Sequence, residues 1–348
     1  MPFEIVPAGT KIDFIGKRYL CAAISGAVLL AGLIAIPIQG VRLGIDFAGG
    51  SEMQVLFEKA EGANEGAIRE VVGVCGVPEA SVVRYGETDD AEFLIRFRID
   101  TGDSDSERIA SADCPLTDAD RERLARAAES GGGEGAIGEK GELVDRLAFA
   151  LTNAIGPLTV QRVEYVGPRV GAELRRDGVL AMGIASLMIL AYIAFRFSVR
   201  FAPGAIVALL HDIGVTMGIF VMFGMEFDLR VLAALLAILG YSLNDTIIIY
   251  DRIRENMEVR TKHDLVEVLN LSVNQTLART ILTSSTTLAA VFALLIVGGE
   301  VIRPFAIAMA IGIVVGTYSS MFVAAPTLLF LENRFGSGDP LANPAKRK

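Results

Sequence analysis

Asp245 stands in the block Tyr241-Ser242-Leu243-Asn244-Asp245, inside an apolar run that extends from Leu229 to Tyr250. An ionisable side chain near the centre of a helix in hydrocarbon costs about 2.5–3.5 kcal/mol on insertion scales. A carboxyl at that depth is therefore a functional candidate first and a structural hydrogen bonder second. His211 and Asp212 interrupt a second apolar run, Phe201–Met225, close to its centre. Adjacent helical side chains point about 100° apart, so at most one of the two lines the same path as Asp245. For this pair a structural role weighs evenly with a relay role. Arg279 opens a third run, and Thr283, Thr286 and Thr287 follow on the same helical face. Hydropathy alone makes Arg279 an interfacial arginine, yet its depth lies within a turn of that of Asp245, and a pairing is allowed. The chemistry open to these groups is proton transfer.

Other chemistries lack their residues. The three cysteines, Cys21, Cys75 and Cys114, form no CxxC, and the two histidines, His211 and His263, make no metal-ligand spacing with them. No glycine-rich phosphate loop is visible. We expect no cofactor, no metal, no catalytic residue and no nucleic-acid partner, with protons as the coupling ion. Cys75 and Cys114 both fall in the polar segment described below, and a disulfide between them is one reading.

The elements that position Asp245, Asp212 and Arg279 are membrane spans. Of the 348 residues, 52% are hydrophobic, above what a soluble domain usually carries. A crossing needs about 20 mainly apolar residues, and six runs qualify: Tyr19–Ile38, Val179–Phe195, Phe201–Met225, Leu229–Tyr250, Thr280–Gly299 and Pro304–Leu331. The first ends in Ile36-Pro37-Ile38-Gln39 rather than a cleavage site, so it reads as an anchor, not a signal peptide. With both termini inside, thirteen lysines and arginines fall on inner segments and only Arg230 and Arg303 on the short outer loops. That bias predicts cytoplasmic termini. Residues 1–18 and 332–348 are then cytoplasmic ends, 178–331 a five-helix domain with a cytoplasmic loop near 251–276, and 39–177 an exported domain. Ala308, Gly312, Gly316 and Ser320 recur every four residues on the last span, a stripe that permits close helix approach.

The exported segment holds the acidic excess: 27 acidic and 16 basic residues between Gln39 and Asp177, a net of −11 against −9 for the chain. Ser51–Glu58, Ala80–Tyr85, Glu92–Ile99 and Thr159–Tyr165 read as strands, and Asn64–Val74 and Glu142–Ala154 as helices. The order strand, helix, strand, strand, helix, strand predicts a ferredoxin-like α+β domain. Asp100–Lys140 interrupts it, with one short helix near Asp118–Glu129, and reads as a flexible insertion. Gly44-Ile45-Asp46-Phe47-Ala48-Gly49-Gly50 reads as a structured turn just outside the first span.

Several of these blocks resemble one family. Gly240-Tyr241-Ser242-Leu243-Asn244-Asp245-Thr246, continuing through Tyr250-Asp251-Arg252-Ile253-Arg254-Glu255-Asn256, is similar to the fourth-span signature of the SecF branch of the SecD/SecF protein-export family. Gly44, Asp46, Phe47, Gly49 and Gly50 resemble its GxDFxGG motif. Val166-Gly167-Pro168 through Glu173-Leu174 resembles its approach to the second span, and Leu210-His211-Asp212 its third. The insertion at Asp100–Lys140 is longer than the family pattern. The resemblance implies a subunit that pairs with SecD, associates with the SecYEG channel together with YajC and YidC, and uses proton flow to help export unfolded preproteins across the bacterial inner membrane. It also implies a proton-conducting site at Asp245 and Arg279, to which Asn244 and Asp212 are added as relay candidates. The family belongs to the resistance-nodulation-division superfamily, so a half-sized proton-coupled exporter of small molecules or lipids is the competing reading. Such an exporter needs an aromatic or methionine-lined pocket between exported domains, and this chain has one exported domain and no tryptophan.

Overall fold

The computed structural model describes residues 7, 10–59, 62–77, 80–85, 91–97, 112, 114–129, 137–197, 200–259 and 264–335. Residues 100–111, 113 and 130–136 of the Asp100–Lys140 insertion, His263 and the tail beyond 335 lie outside them. The chain divides into two units: residues 44–175, and residues 1–43 with 176–348.

The first unit is built on four strands: β1 (Gly50–Phe57), β2 (Ser81–Tyr85), β3 (Glu92–Phe97) and β4 (Leu158–Val166). They pair in the order β2-β3-β1-β4, every neighbour antiparallel. Alternation sends Met53, Val55 and Phe57 of β1 and Phe93, Ile95 and Phe97 of β3 into one core. Helix α1 belongs to the other unit and spans Arg18–Gln39; α2 is the single turn Ile45–Ala48. Helix α3 (Glu65–Val74) is capped by Asn64, whose side chain accepts from the Ala67 N–H, and contributes Ile68 and Val72 to the core. After α4 (Asp118–Glu129), α5 (Ile137–Ala154) adds Leu143, Leu147 and Leu151. On the opposite face of the sheet Glu52 faces Arg96 across the β1–β3 register, an ion pair at 2.5 Å. A disulfide joins Cys75, at the end of α3, to Cys114, with Cα atoms 4.5 Å apart.

The second unit is helical. After α6 (Pro168–Arg196) come α7 (Ala202–Met222), α8 (Leu229–Val259), α9 (Leu265–Val297) and α10 (Gly299–Ser319). A π-helical turn, Ser320–Ala324, leads into α11 (Ala325–Phe335). Among the described residues six helices are long and apolar enough to cross a membrane: α1, α6, α7, α8, α9, and the continuous helix 301–334. Hydropathy ends the fourth run near Tyr250, but α8 continues to Val259 and α9 begins at Leu265. Ile253 and Asn256 are buried there, and Asn256 donates to Ser272 and Gln275 at 2.9 Å. Helical hydrogen bonding continues past the apolar stretch because this face still has something to pack on.

Small residues set the helix spacing. A Cβ on Gly312 would overlap the side chain of Ile238, and one on Gly316 would stand 2.8 Å from Ser242 Cβ, so the stripe on α10 is what lets α8 approach. Gly32 of α1 and Gly218 of α7 meet the same way, a Cβ on the former lying 2.6 Å from the Cα of the latter. Before α1, Phe14 and Ile15 are buried, and Phe14 stacks obliquely on Phe322 at 5.4 Å. Two asparagines one turn apart on α9 hold that segment: Asn270 Oδ1 accepts from the Phe14 and Ile15 amides at 2.9 and 3.0 Å, and Asn274 exchanges two bonds with Ile12.

Candidate proton site in the helical unit

Asp212 is 1% exposed, and both of its carboxyl oxygens have polar partners. Ser242 of α8 and Ser319 of α10 donate to Oδ2, the latter at 2.8 Å, and His211 Nδ1 lies 3.0 Å from Oδ1. On the far side of the ring, Nε2 stands 2.9 Å from Ser25 Oγ of α1, which is 3.1 Å from Tyr318 Oη; Tyr318 in turn donates to the Cys21 carbonyl at 2.8 Å. Four helices thus meet through one chain of hydrogen bonds. The π turn matters here, since it begins immediately after Ser319. Ser319 donates to Asp212 while the next residue, Ser320, bonds Thr246 at 3.0 Å, so two consecutive hydroxyls both face inward. The two residues of the pair do point differently, as helical geometry requires, but both join the same network through different atoms.

Asp245 is also 1% exposed and lies one turn after Ser242 on α8. Its hydroxyl neighbour is Ser284 of α9, at 3.5 Å from Oδ2, and Ser284 bonds Thr317 of α10 at 2.7 Å. Arg279 lies on the same helix, five residues before Ser284, within electrostatic range of the Asp245 carboxyl. Among the described residues no ion pair joins the two, and Arg279 is exposed. Thr283, Thr286 and Thr287 return their hydroxyls to carbonyls of their own helix. The face of α9 turned to Asp245 is therefore the one carrying Ser284, not the one carrying Arg279. Asn244 is exposed on α8 and is not brought to the carboxyl of its neighbour.

A family profile for the C-terminal region of the protein export membrane proteins SecD and SecF matches residues 148–334, and the SecD/SecF GG motif matches residues 34–61. The protein translocase subunit SecF of Calditerrivibrio nitroreducens is 37% identical over 332 residues, covering 95% of this chain and 97% of that protein. This chain belongs to the SecD/SecF family. The SecF of Pseudomonas aeruginosa is 38% identical over 322 residues, 92% of this chain and 91% of that protein. The crystal structure of SecDF from Thermus thermophilus, described as a translocon-associated membrane protein, matches with a TM-score of 0.74 and 32% identity. That match covers 96% of this chain and 40% of the SecDF chain.

Membership of the SecD/SecF family and the six apolar helices make the chain a multi-pass membrane protein. The family's GG motif has a local reason in the unit formed by residues 44–175. Gly49 adopts φ 72°, and a Cβ there would stand 2.7 Å from Pro168 Cα. A Cβ on Gly171 would in turn stand 3.0 Å from the Gly49 amide nitrogen. Only glycine meets both the backbone sign and the approach. Phe47, on the one-turn helix α2, is buried, and Asp46 and Gly44 belong to the same turn. Sequence reasoning missed Ser25, Ser284, Thr317, Tyr318 and Ser319. A serine or threonine on an apolar helix has no periodic signature, and its partner is set by packing between distant segments.

Proposed function

We propose that the chain is a SecF-type subunit of the bacterial Sec export machinery, working with SecD on the SecYEG channel and with YajC and YidC. It uses the proton motive force to assist translocation of unfolded preproteins and performs no covalent chemistry of its own. The protein sits in the inner membrane with both termini cytoplasmic and the acidic domain exported. That domain is ferredoxin-like, a reading supported by the strand order β2-β3-β1-β4 with helices α3 and α5 on one face. The observation that carries the proton-coupled reading is a carboxyl, Asp245, 1% exposed in a membrane span with a hydroxyl and a guanidinium from α9 nearby.

In this mechanism Asp245 takes a proton from the outer side and releases it inward. Its charge state governs its attraction for Arg279 and so the packing of α9 on α8. One proton crossing about 150 mV yields about 3.5 kcal/mol, enough to move a two-state equilibrium by more than a hundredfold. The exposed face of α9 that carries Arg279 is where the spans of SecD pack, because a guanidinium left against lipid is costly. The test is Asp245→Asn in proteoliposomes holding the Sec channel and SecD. The amide keeps shape and hydrogen bonding, so assembly should persist while proton flux and proton-driven translocation are lost. Undiminished flux and translocation would refute the relay, and failure to copurify with the channel would favour the small-molecule exporter.

A further inference from the structure

Hydrogen-bond bookkeeping around His211 leads to a second proton site. Tyr318 has one hydroxyl proton, and it is donated to the Cys21 carbonyl. The Tyr318 oxygen must then accept from Ser25, and Ser25, having spent its own proton, must accept from His211 Nε2. Nε2 therefore carries hydrogen. On the other side Oδ2 of Asp212 already receives Ser242 and Ser319, so the 3.0 Å contact between Oδ1 and Nδ1 needs one more proton between them. Ring and carboxyl together hold two exchangeable protons in this arrangement, either as an imidazolium–carboxylate pair or as a neutral ring with a carboxylic acid.

Removing one of those protons has a single low-cost solution. If Nδ1 lost it, a lone pair would face a carboxylate inside the bundle, where an unpaired charge is expensive. If Nε2 loses it, the Nδ1–H to Asp212 bond survives. The rest of the wire then turns over: Ser25 donates to Nε2, Tyr318 donates to Ser25, and the Cys21 carbonyl is released. The N–H bond at Nε2 breaks as an O–H bond forms on Ser25 Oγ, and Ser25 Oγ gives its own proton to solvent water, so one proton leaves and every oxygen keeps its valence. His211 and Ser25 both line a crevice of about 660 Å³ between α1, α7 and the π turn with α11, which also presents Arg18, Thr327 and Asn333. We propose that His211 with Asp212 forms a proton-binding site separate from Asp245, loaded and emptied at Nε2 through Ser25 and this crevice. Its protonation reverses the hydrogen bonds that tie α1 to α10.

The titratable groups facing the pair are few. Tyr318 stands over the ring at 6.0 Å between centroids, Cys21 is tied to Tyr318, and Arg18 and Tyr19 line the crevice. On α8, Asp245 is one turn from Ser242 and bonds Ser284 instead. The proposal rests on the proton-coupled reading for its purpose, so its test must be able to fail alone. The only other histidine is His263, and His263→Asn leaves one imidazole to observe. Nitrogen-15 magnetic resonance of the full chain in nanodiscs, labelled on histidine, follows both ring nitrogens from about pH 4 to about pH 10. As pH rises, Nε2 should lose its proton while Nδ1 keeps it. Ser25→Ala should slow proton exchange at Nε2 about a hundredfold, a typical loss for a positioned transfer group, and Ser25→Thr should restore it. The same step should persist in Asp245→Asn, even where translocation has failed. A ring that never titrates, one that loses the Nδ1 proton first, a Ser25→Ala variant with unchanged exchange, or loss of the step in Asp245→Asn would each overturn the second site.

Discussion

Ser242 of α8 donates to the Oδ2 of Asp212 on α7, and Asp245 follows it by less than one helical turn. One helix thus serves two buried carboxyls, the first through a hydroxyl and the second by carrying it. The two do not share a bonding partner: Asp212 is met by serines of α8 and α10 and by His211, Asp245 by Ser284 of α9. A change in the charge of Asp245 that moves α9 against α8 need not disturb the donors of Asp212. That separation is what allows two proton events in one bundle to be tested independently.

The close approach of α10 to α8 should be intolerant of any added side chain at Gly312. Ile238, whose side chain would be overlapped, is 1% exposed and has no room to retreat. Overpacking of this kind costs about 1–3 kcal/mol, and Gly312→Leu should exceed Gly312→Ala. Since Cys75 and Cys114 are bonded and Cys21 is buried and free, a thiol-reactive dye reads unfolding of the bundle through Cys21. A midpoint unchanged in both variants would show that α10 is not pinned at this glycine.

The Cys75–Cys114 bridge should be present in protein isolated without reductant, as non-reducing mass spectrometry of the peptides would show. The two residues are 39 apart in sequence, and closing a loop of that size stabilises by about 4 kcal/mol on the chain-entropy model. Both cysteines lie in the domain proposed to be exported, where such bonds persist. Cys75→Ser should therefore sensitise that domain to protease in the full chain. Two free thiols in the untreated protein would refute the bridge.

Much of this architecture was legible in the residues, for reasons that differ by element. The six spans stand out because lipid demands about 20 apolar residues in a row, and each run lies within an observed helix or overlaps one. The strands of the acidic domain were readable from alternation, and a helix does stand at Asp118–Glu129; residues 98–111 and 130–136 lie outside the described residues. The site was readable only in its charged members. Asp245, Asp212 and His211 are conspicuous in an apolar run, whereas Ser25 and Tyr318, 293 residues apart, are brought together by packing of α1, which also lies close on α7 at Gly32 and Gly218. Asn244 shows the converse: adjacency in sequence to Asp245 places it on another face of the helix.

The segment before α1 should be held by a charge-assisted clamp. The Gly16 amide and the Asn270 side chain, at 2.7 and 2.9 Å, hold the Asp13 carboxyl below its usual range, with Lys17 and Arg18 assisting. A lowered carboxyl contributes stability that is present above its unfolded value, about 3.9, and lost as pH falls through the lower folded one. Protection of the Gly16 amide from hydrogen exchange should thus hold at neutral pH and fall only in acid, and Asp13→Asn should remove the dependence. Asn270→Ala should do more, since it strips the acceptor from two partly buried amides at about 1–3 kcal/mol each. Exchange at Phe14 and Ile15 no faster in Asn270→Ala would show that the clamp lies elsewhere.

Arg279 separates an anchor from a coupling residue. An arginine that only marks the interface is replaceable by lysine, which reaches the surface equally well and keeps the charge. A guanidinium that must meet a carboxylate during the cycle is not, because lysine lacks the planar fork. The structure has Arg279 exposed, in electrostatic range of Asp245 but without an ion pair to it. The residue is thus placed to engage when α9 moves or when a partner covers that face. We expect Arg279→Lys to insert and assemble normally and to lower proton-driven translocation at least tenfold, about 1.4 kcal/mol in the barrier. Arg279→Gln should assemble poorly where Asp245 is ionised, and the double variant Asp245→Asn with Arg279→Gln should assemble better than Arg279→Gln alone, because no carboxylate is then left without a counter-charge. Translocation at the wild-type rate in Arg279→Lys, measured in the same proteoliposomes as the parent, would return this residue to the interfacial anchors and leave Ser284 as the sole α9 side chain acting on Asp245.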